Sequence, residues 1–218
     1  EVLGKAEGVD AQVEQGAATL GKVEDAVVGV VGAERAQVAL DATNFAELTG
    51  LDHYGGVTVL GDRTYVSGRG RLQVHETARL REGIADPVLT VKVKASSTVT
   101  AHDGELWVTR FVVDGPGRTY RYVLDDEGRP QWSGEELVVP PRTQGMAFDE
   151  DRAVWFSRSW GRTAPSTLTR VDAGDFRRDG GWTPLTGRNT LLPPMAEGSV
   201  VVDGRLHQLY ESGATAYS

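Results

Sequence analysis

Glu197, Glu211, Gln144, Ser159 and the arginines Arg69, Arg110, Arg158 and Arg162 are the side chains of this sequence best suited to binding or chemistry. A glutamate can act as a general base or supply oxygen ligands to a hard cation such as calcium. An arginine grips a carboxylate or phosphate with two parallel N–H bonds. In "SRSWGR" (157–162) two arginines flank a serine and a glycine turn, a pattern that suits an anion. Each residue also has a plainer reading. Glu197 and Gln144 could satisfy backbone N–H groups, because buried polar groups must find partners. Arg158 and Arg162 could be solvated loop charges or pair with Glu211. An exposed pair of that kind contributes only about 0–1 kcal/mol.

The common signatures of catalysis are missing. The sequence has no HExxH, no GxSxG and no Walker loop, and "GRGR" (68–71) lacks the lysine and serine of a phosphate loop. His53, His75, His102 and His207 fall at different repeat positions, so they form no metal set, and Ser159 has no histidine at its own repeat position. With no cysteine, disulfides, thiolate metal sites and a thiol nucleophile are excluded. The residue types lean towards binding and leave enzymatic activity undecided.

The elements that must position these residues are repeated. "PPRTQGMAFDEDRAVWFSRSWGR" begins at Pro140, and "PPMAEGSVVVDGRLHQLYESGA" begins 53 residues later, at Pro193. Both read Pro-Pro, two residues, Gln or Glu, Gly, an apolar strand, an acidic turn and an aromatic strand. Four hairpins align: "GGVTVLGDRTYVSG" (55–68), "SSTVTAHDGELWVTR" (96–110), "QGMAFDEDRAVWFSR" (144–158) and "EGSVVVDGRLHQLYES" (197–212). Tyr65, Trp107, Trp155 and His207 share one repeat position. Third strands follow in "GRLQVHET", "RTYRYVLD" and "STLTRVD". A period of about 40–50 residues with three or four strands per unit predicts an all-β propeller. One blade cannot bury both of its faces, whereas blades stacked around an axis bury one another. Five blades are expected, with four or six open, the fifth assembled from "RAQVAL" (35–40) and the last strand, "ATAYS".

The first part of the chain reads differently. Val9, Val13, Leu20, Val23, Val27 and Val30 step along one helical face. In a helical reading of residues 5–40, Gly8, Gly16, Gly21, Gly29 and Gly32 each cost about 1 kcal/mol against alanine. The helix predicted over 10–30 must therefore pack on the propeller or on another chain, and a strand over "AVVGVVG" stays open. The expected organisation is an acidic helical segment, 1–45, and a propeller, 46–218. Of the net charge of −8, residues 1–52 carry −7. No basic face suggests nucleic acid, and no apolar run approaches the ~20 residues of a membrane span. Arg outnumbers Lys 19 to 4, the usage of a high-GC, actinobacterial genome.

Propeller topology brings the candidate residues together. First strands start, and second strands finish, on one face. Gln144 and Glu197 should sit at the channel mouth there. The loops holding Arg69, Arg110, Arg158, Ser159, Arg162 and Glu211 should rim it, with the Gly/Asp turns opposite.

"QGMAF", "SRSWGRTAPSTL" and "PPMAEGSVVVDGRLHQLYESGA" resemble a group of secreted, propeller-like proteins of Gram-positive bacteria, over about residues 90–218 and more weakly from 51. The resemblance implies a fold and an extracellular location, and no activity. A carboxylate at the start of a first strand is distantly similar to gluconolactonase-type propellers, which bind a divalent metal. Here Gln144 and Glu197 match that pattern, while Ser96 and Gly55 stand at the other two starts. The expectation is a non-catalytic extracellular binding propeller without a cofactor. Its ligand, a small molecule, a glycan or a protein, would meet Gln144, Glu197, Arg158, Ser159, Arg162, Arg110 and Glu211. The alternatives are a metal-assisted hydrolase or lactonase using Glu197, with calcium as the candidate metal, and the C-terminal module of a larger secreted protein.

Overall fold

The computed structural model describes residues 27–30, 36–39, 45–51, 53–173 and 187–210. Three complete four-stranded antiparallel meanders follow one another. The first holds β4 (Gly56–Leu60), β5 (Arg63–Gly68), β6 (Arg71–Glu76) and β7 (Leu89–Lys92). The second holds β8 (Thr98–His102), β9 (Glu105–Arg110), β10 (Gly117–Leu124) and β11 (Pro130–Val139). The third holds β12 (Thr143–Phe148), β13 (Val154–Arg158), β14 (Ser166–Val171) and β15 (Arg188–Leu192). A two-stranded sheet, β16 (Ala196–Val202) and β17 (Arg205–Tyr210), ends the described chain. A short helix, α1 (Thr77–Arg81), joins β6 to β7.

The first strands lie side by side: β4 packs on β8, β8 on β12 and β12 on β16. Meanders stacked through their first strands are the blades of a β-propeller, as the repeat predicts. Between blades the first strands are tied by threonines. Thr58 Oγ1 accepts the Ala101 N–H at 3.1 Å, and Thr100 Oγ1 donates to the Met146 carbonyl at 2.5 Å.

The core is a series of layers between blades. Tyr65, Leu72 and Val74 of one blade meet Val99, Leu106, Val108, Tyr120 and Tyr122 of the next. Val139 then meets Met146, Val154, Phe156 and Val171, with Trp107 packed against them. Each such side chain stabilises the fold by about 1.5–3 kcal/mol on burial. Tyr65, Trp107, Trp155 and His207 each face a first-strand residue, Thr58, Thr100, Ala147 and Val200 respectively. Tyr65 and Trp107 both reach into the layer shared with the following blade.

The hairpin turns follow their sequences. Asp103–Gly104 and Asp203–Gly204 each take two consecutive positive φ angles (50° and 77°; 49° and 68°). That is the turn whose twist matches paired strands, and Asp-Gly tolerates it best.

One expectation about the first part of the chain is corrected. Val27–Val30 is a strand, β1, rather than the end of a helix, and it pairs with Ala36–Ala39, β2. β-branched valines pack well on a pleated surface and lose side-chain freedom in a helix. β2 pairs in turn with β3 (Phe45–Glu47), so the "AQVA" of "RAQVAL" lies in a three-stranded sheet whose β1 lies beside β4. The helix expected over residues 10–26 and the strand "ATAYS" lie outside the described residues.

Candidate functional site

Backbone geometry explains why the Pro-Pro segment at Pro140 recurs at Pro193. After Pro140-Pro141 comes Arg142 with φ 65°, and after Pro193-Pro194 comes Met195 with φ 64°. A proline followed by a left-handed residue is a tight turn that delivers the chain into β12 and into β16. Neither left-handed residue is a glycine, so each carries backbone strain of order 1–2 kcal/mol. A bulge follows each turn. Thr143 pairs with Arg158 and Gly145 with Ser157, which leaves Gln144 extra. Ala196 pairs with Tyr210 and Ser199 with Gln208, which leaves Glu197 and Gly198 opposite Leu209. Bulges re-aim side chains at sheet ends. The Gln208 amide donates to the carbonyls of Glu197 (3.3 Å) and Gly198 (2.9 Å), so the β16 bulge is held from within.

The two starts touch. A Cβ on Gly145 would overlap the Glu197 carbonyl oxygen, just as one on Gly55 would overlap the Ser96 carbonyl. Gln144 and Glu197 therefore occupy neighbouring first strands at the same end of the blades, the start end. Arg158 shares this end, because it closes β13 opposite Thr143. Arg110 closes β9 and is exposed, with its guanidinium on the Lys94 carbonyl at 3.2 Å. Arg162 is exposed in the loop after β13, and Arg69 in the turn after β5. Ser159 is buried, only 5% exposed, and its N–H donates to the Arg142 carbonyl at 3.0 Å. Glu211 lies outside the described residues.

Arg158 has the most unusual surroundings of this group. It is half-buried, with Nε donating to the Pro141 carbonyl at 3.0 Å and Nη1 to Thr169 Oγ1 at 3.2 Å. Burial, and after it the positive charge of Arg142, hold its pKa below the ordinary arginine value. No carboxylate of a described residue pairs with it. Arg142 itself donates from Nε to the Val113 carbonyl at 3.2 Å, with Asp114 at 3.9 Å. Two guanidiniums thus share the turn before β12, and the more buried one rests on a carbonyl and a hydroxyl. A carboxylate or phosphate there would meet desolvated positive charge.

Sequence reasoning missed Arg142. Its signal was the third position of the Pro-Pro motif, where a left-handed residue is needed. It also missed the opposite end of the blades. There the turns after β8, β12 and β16 enclose a cleft of about 300 Å³ lined by His102, Asp103, Phe148, Glu150, Arg152 and Asp203, among others. The His102 ring stacks on Phe148 at 4.0 Å, almost parallel. Burial, ahead of the opposing pull of Asp103, lowers the His102 pKa and favours the neutral imidazole. Beside it Asp149 fixes the β12–β13 turn, accepting the Ala153 N–H (2.8 Å), the Trp155 indole N–H (3.3 Å) and Arg170 (3.2 Å). No three His, Asp or Glu side chains come together as metal ligands among the described residues.

No family model matches the sequence, and no curated protein does. In three dimensions the chain is similar to a chain of the mitotic checkpoint complex, at 9% identity and TM-score 0.48, over 85% of this chain and 55% of that one. It is similar to a chain of a nidogen/laminin complex at 11% identity and TM-score 0.47, over 86% and 68%. It is also similar to a quinoprotein alcohol dehydrogenase-like protein of Bacteroides thetaiotaomicron at 9% identity and TM-score 0.41, over 87% and 52%. The chain thus spans between about half and two thirds of the length of these structures. The propeller assignment rests on the stacked blades themselves. No helix among the described residues is long and apolar enough to cross a membrane.

Proposed function

We propose that this chain is a binding propeller that holds an anionic ligand at the start end of its blades, with Arg158 and Arg142 as the gripping pair. The observation that carries this reading is the half-buried Arg158 guanidinium, set beside a second guanidinium and lacking a described carboxylate partner. A desolvated cation costs free energy unless it is paired, and a bound anion supplies the pair. The left-handed backbone of Arg142 fits the same reading, since strained residues cluster where a ligand is held. Gln144 and Glu197, on the neighbouring first strands, would give polar contacts and set which anions fit.

The reading counts five blades, beginning with β1–β3 and ending with the β16–β17 sheet. On that count the propeller starts near residue 27, ahead of the boundary expected at 45/46. A place outside the cell accompanies the proposal, and fractionation of the source organism tests it.

Calorimetric titration with inorganic phosphate tests the function. Saturable binding is expected that weakens at least roughly tenfold in Arg158→Gln and in Arg142→Gln. Equal binding by the parent chain and both variants, all folded by circular dichroism, overturns it, as does the absence of binding to the parent chain.

A further inference from the structure

The geometry points to an acidic sugar as the ligand: we propose that a hexuronate ring of a glycan stacks on Trp160 while its carboxylate meets Arg142 and Arg158. This rests on the anion-binding reading above and adds the part of the ligand that is not charged. Phe111 leaves β9 and Trp160 leaves β13, so they belong to loops of two successive blades. Their rings stack at 5.8 Å with 27° between planes. Trp160 is nevertheless 48% exposed. Phe111 supports the indole through this contact, and about half of the Trp160 surface remains in water.

The aromatic pair and the arginines form one knitted rim. The Arg142 N–H donates to the Val112 carbonyl at 2.7 Å, and its Nε to Val113, the two residues after Phe111. The Ser159 N–H, next to Trp160, donates to the Arg142 carbonyl at 3.0 Å. The platform and the charges are therefore held in a fixed relation by backbone bonds of both loops. Among the described residues the other exposed tryptophan, Trp132, differs, because the Lys94 ammonium already lies 3.0 Å over its ring.

A ligand for this rim needs a flat apolar face and a carboxylate on one small frame. A pyranose uronate has both, with axial C–H groups for the indole face and a carboxylate at the ring edge. An acidic peptide fits less well, because peptide side chains anchor in pockets. The cleft lined by His102, Phe148 and Asp203 lies at the other end of the blades, among carboxylates. A nucleic acid strand fits poorly on a chain of net charge −8.

The test compares trigalacturonate, its carboxyl-reduced neutral counterpart, adenosine monophosphate and inorganic phosphate, each titrated into the full chain and into Trp160→Ala. An exposed loop residue can be truncated without threatening the fold. Trigalacturonate should bind the parent chain more tightly than phosphate and lose at least roughly tenfold in Trp160→Ala. Phosphate affinity should change less than about twofold in that variant, and the neutral sugar should bind at least about tenfold more weakly than the uronate. If trigalacturonate binds no tighter than phosphate, or is indifferent to Trp160→Ala while phosphate still depends on Arg158, the sugar proposal falls and the anion site stands. Preference for the nucleotide also overturns the sugar. If no anion binds, both readings fall together.

Discussion

Gly145 meets the carbonyl oxygen of Glu197 so closely that the smallest side chain would overlap it. This approach brings the starts of β12 and β16 together and places Gln144 and Glu197 on one end of the fold. Gly198, the matching glycine of β16, has only an ordinary 3.5 Å neighbour, the Leu209 side chain. Gly145→Ala should therefore cost about 3 kcal/mol, a fall in Tm of roughly 6–12 °C for a chain of this size. Gly198→Ala should change Tm by less than roughly 2 °C. Thermal unfolding of the two variants side by side checks the contrast.

Tyr65 fastens one blade to the next. Its hydroxyl donates to the Gly128 carbonyl at 3.0 Å, and burial pushes its pKa up to about 12. An unfolded tyrosine ionises near 10, so the native state binds the extra proton between those values. That stability is complete below pH 10 and is lost as pH rises through 12. Tyr65→Phe should lower stability by about 1 kcal/mol at neutral pH. Phenolate absorbance should show one fewer late-titrating tyrosine in the variant.

His75 acts at the other end of the pH scale. It is fully buried in β6, and burial lowers its pKa to about 4, against opposing pulls from the Ala85 backbone and Asp86. The unfolded imidazole titrates near 6.5, so between 6.5 and 4 the unfolded state binds the extra proton. Stability present above pH 6.5 should fall on acidification through that window, by up to about 3 kcal/mol for this one group. In His75→Gln the slope of unfolding free energy against pH should be shallower by up to about one proton across the same window.

Asp149 is the hub of the turn between β12 and β13. Its carboxylate accepts bonds from Ala153, Trp155 and Arg170, and the Arg170 guanidinium lies over the Trp155 ring at 5.6 Å. Asp149→Ala should cost about 2–3 kcal/mol, since it strands these partly buried donors together. Arg170→Ala should cost less, because Ala153 and Trp155 keep their acceptor. Chemical denaturation of the two variants reads the order.

The fold was legible where local chemistry and repeat period agree. The Asp-Gly turns, the aromatic positions Tyr65 and Trp107 and the four hairpins are short-range signals, and stacking follows from the need of each blade to bury two faces. Val27–Val30 was ambiguous because the same valines satisfy a helical step and a strand, and pairing with Ala36–Ala39 decides between them. The shared end of Gln144, Glu197 and Arg158 followed from topology alone. Arg142 did not, because its role depends on a left-handed turn that the Pro-Pro motif hides. The pairing of Phe111 with Trp160 joins loops of two blades across 49 residues of sequence, a relation that repeat spacing alone does not contain.

The most direct test follows the Arg158 side chain itself. The nitrogen and proton resonances of its Nε–H group can be tracked while phosphate is added to the isotope-labelled chain. A bound anion at the start end predicts a saturable shift at Arg158 and Arg142, with the amides of Gln144 and Ser159 moving on the same curve. A silent Arg158, with responses instead at His102, Asp103, Arg152 and Asp203 around the turn-end cleft, would contradict the account.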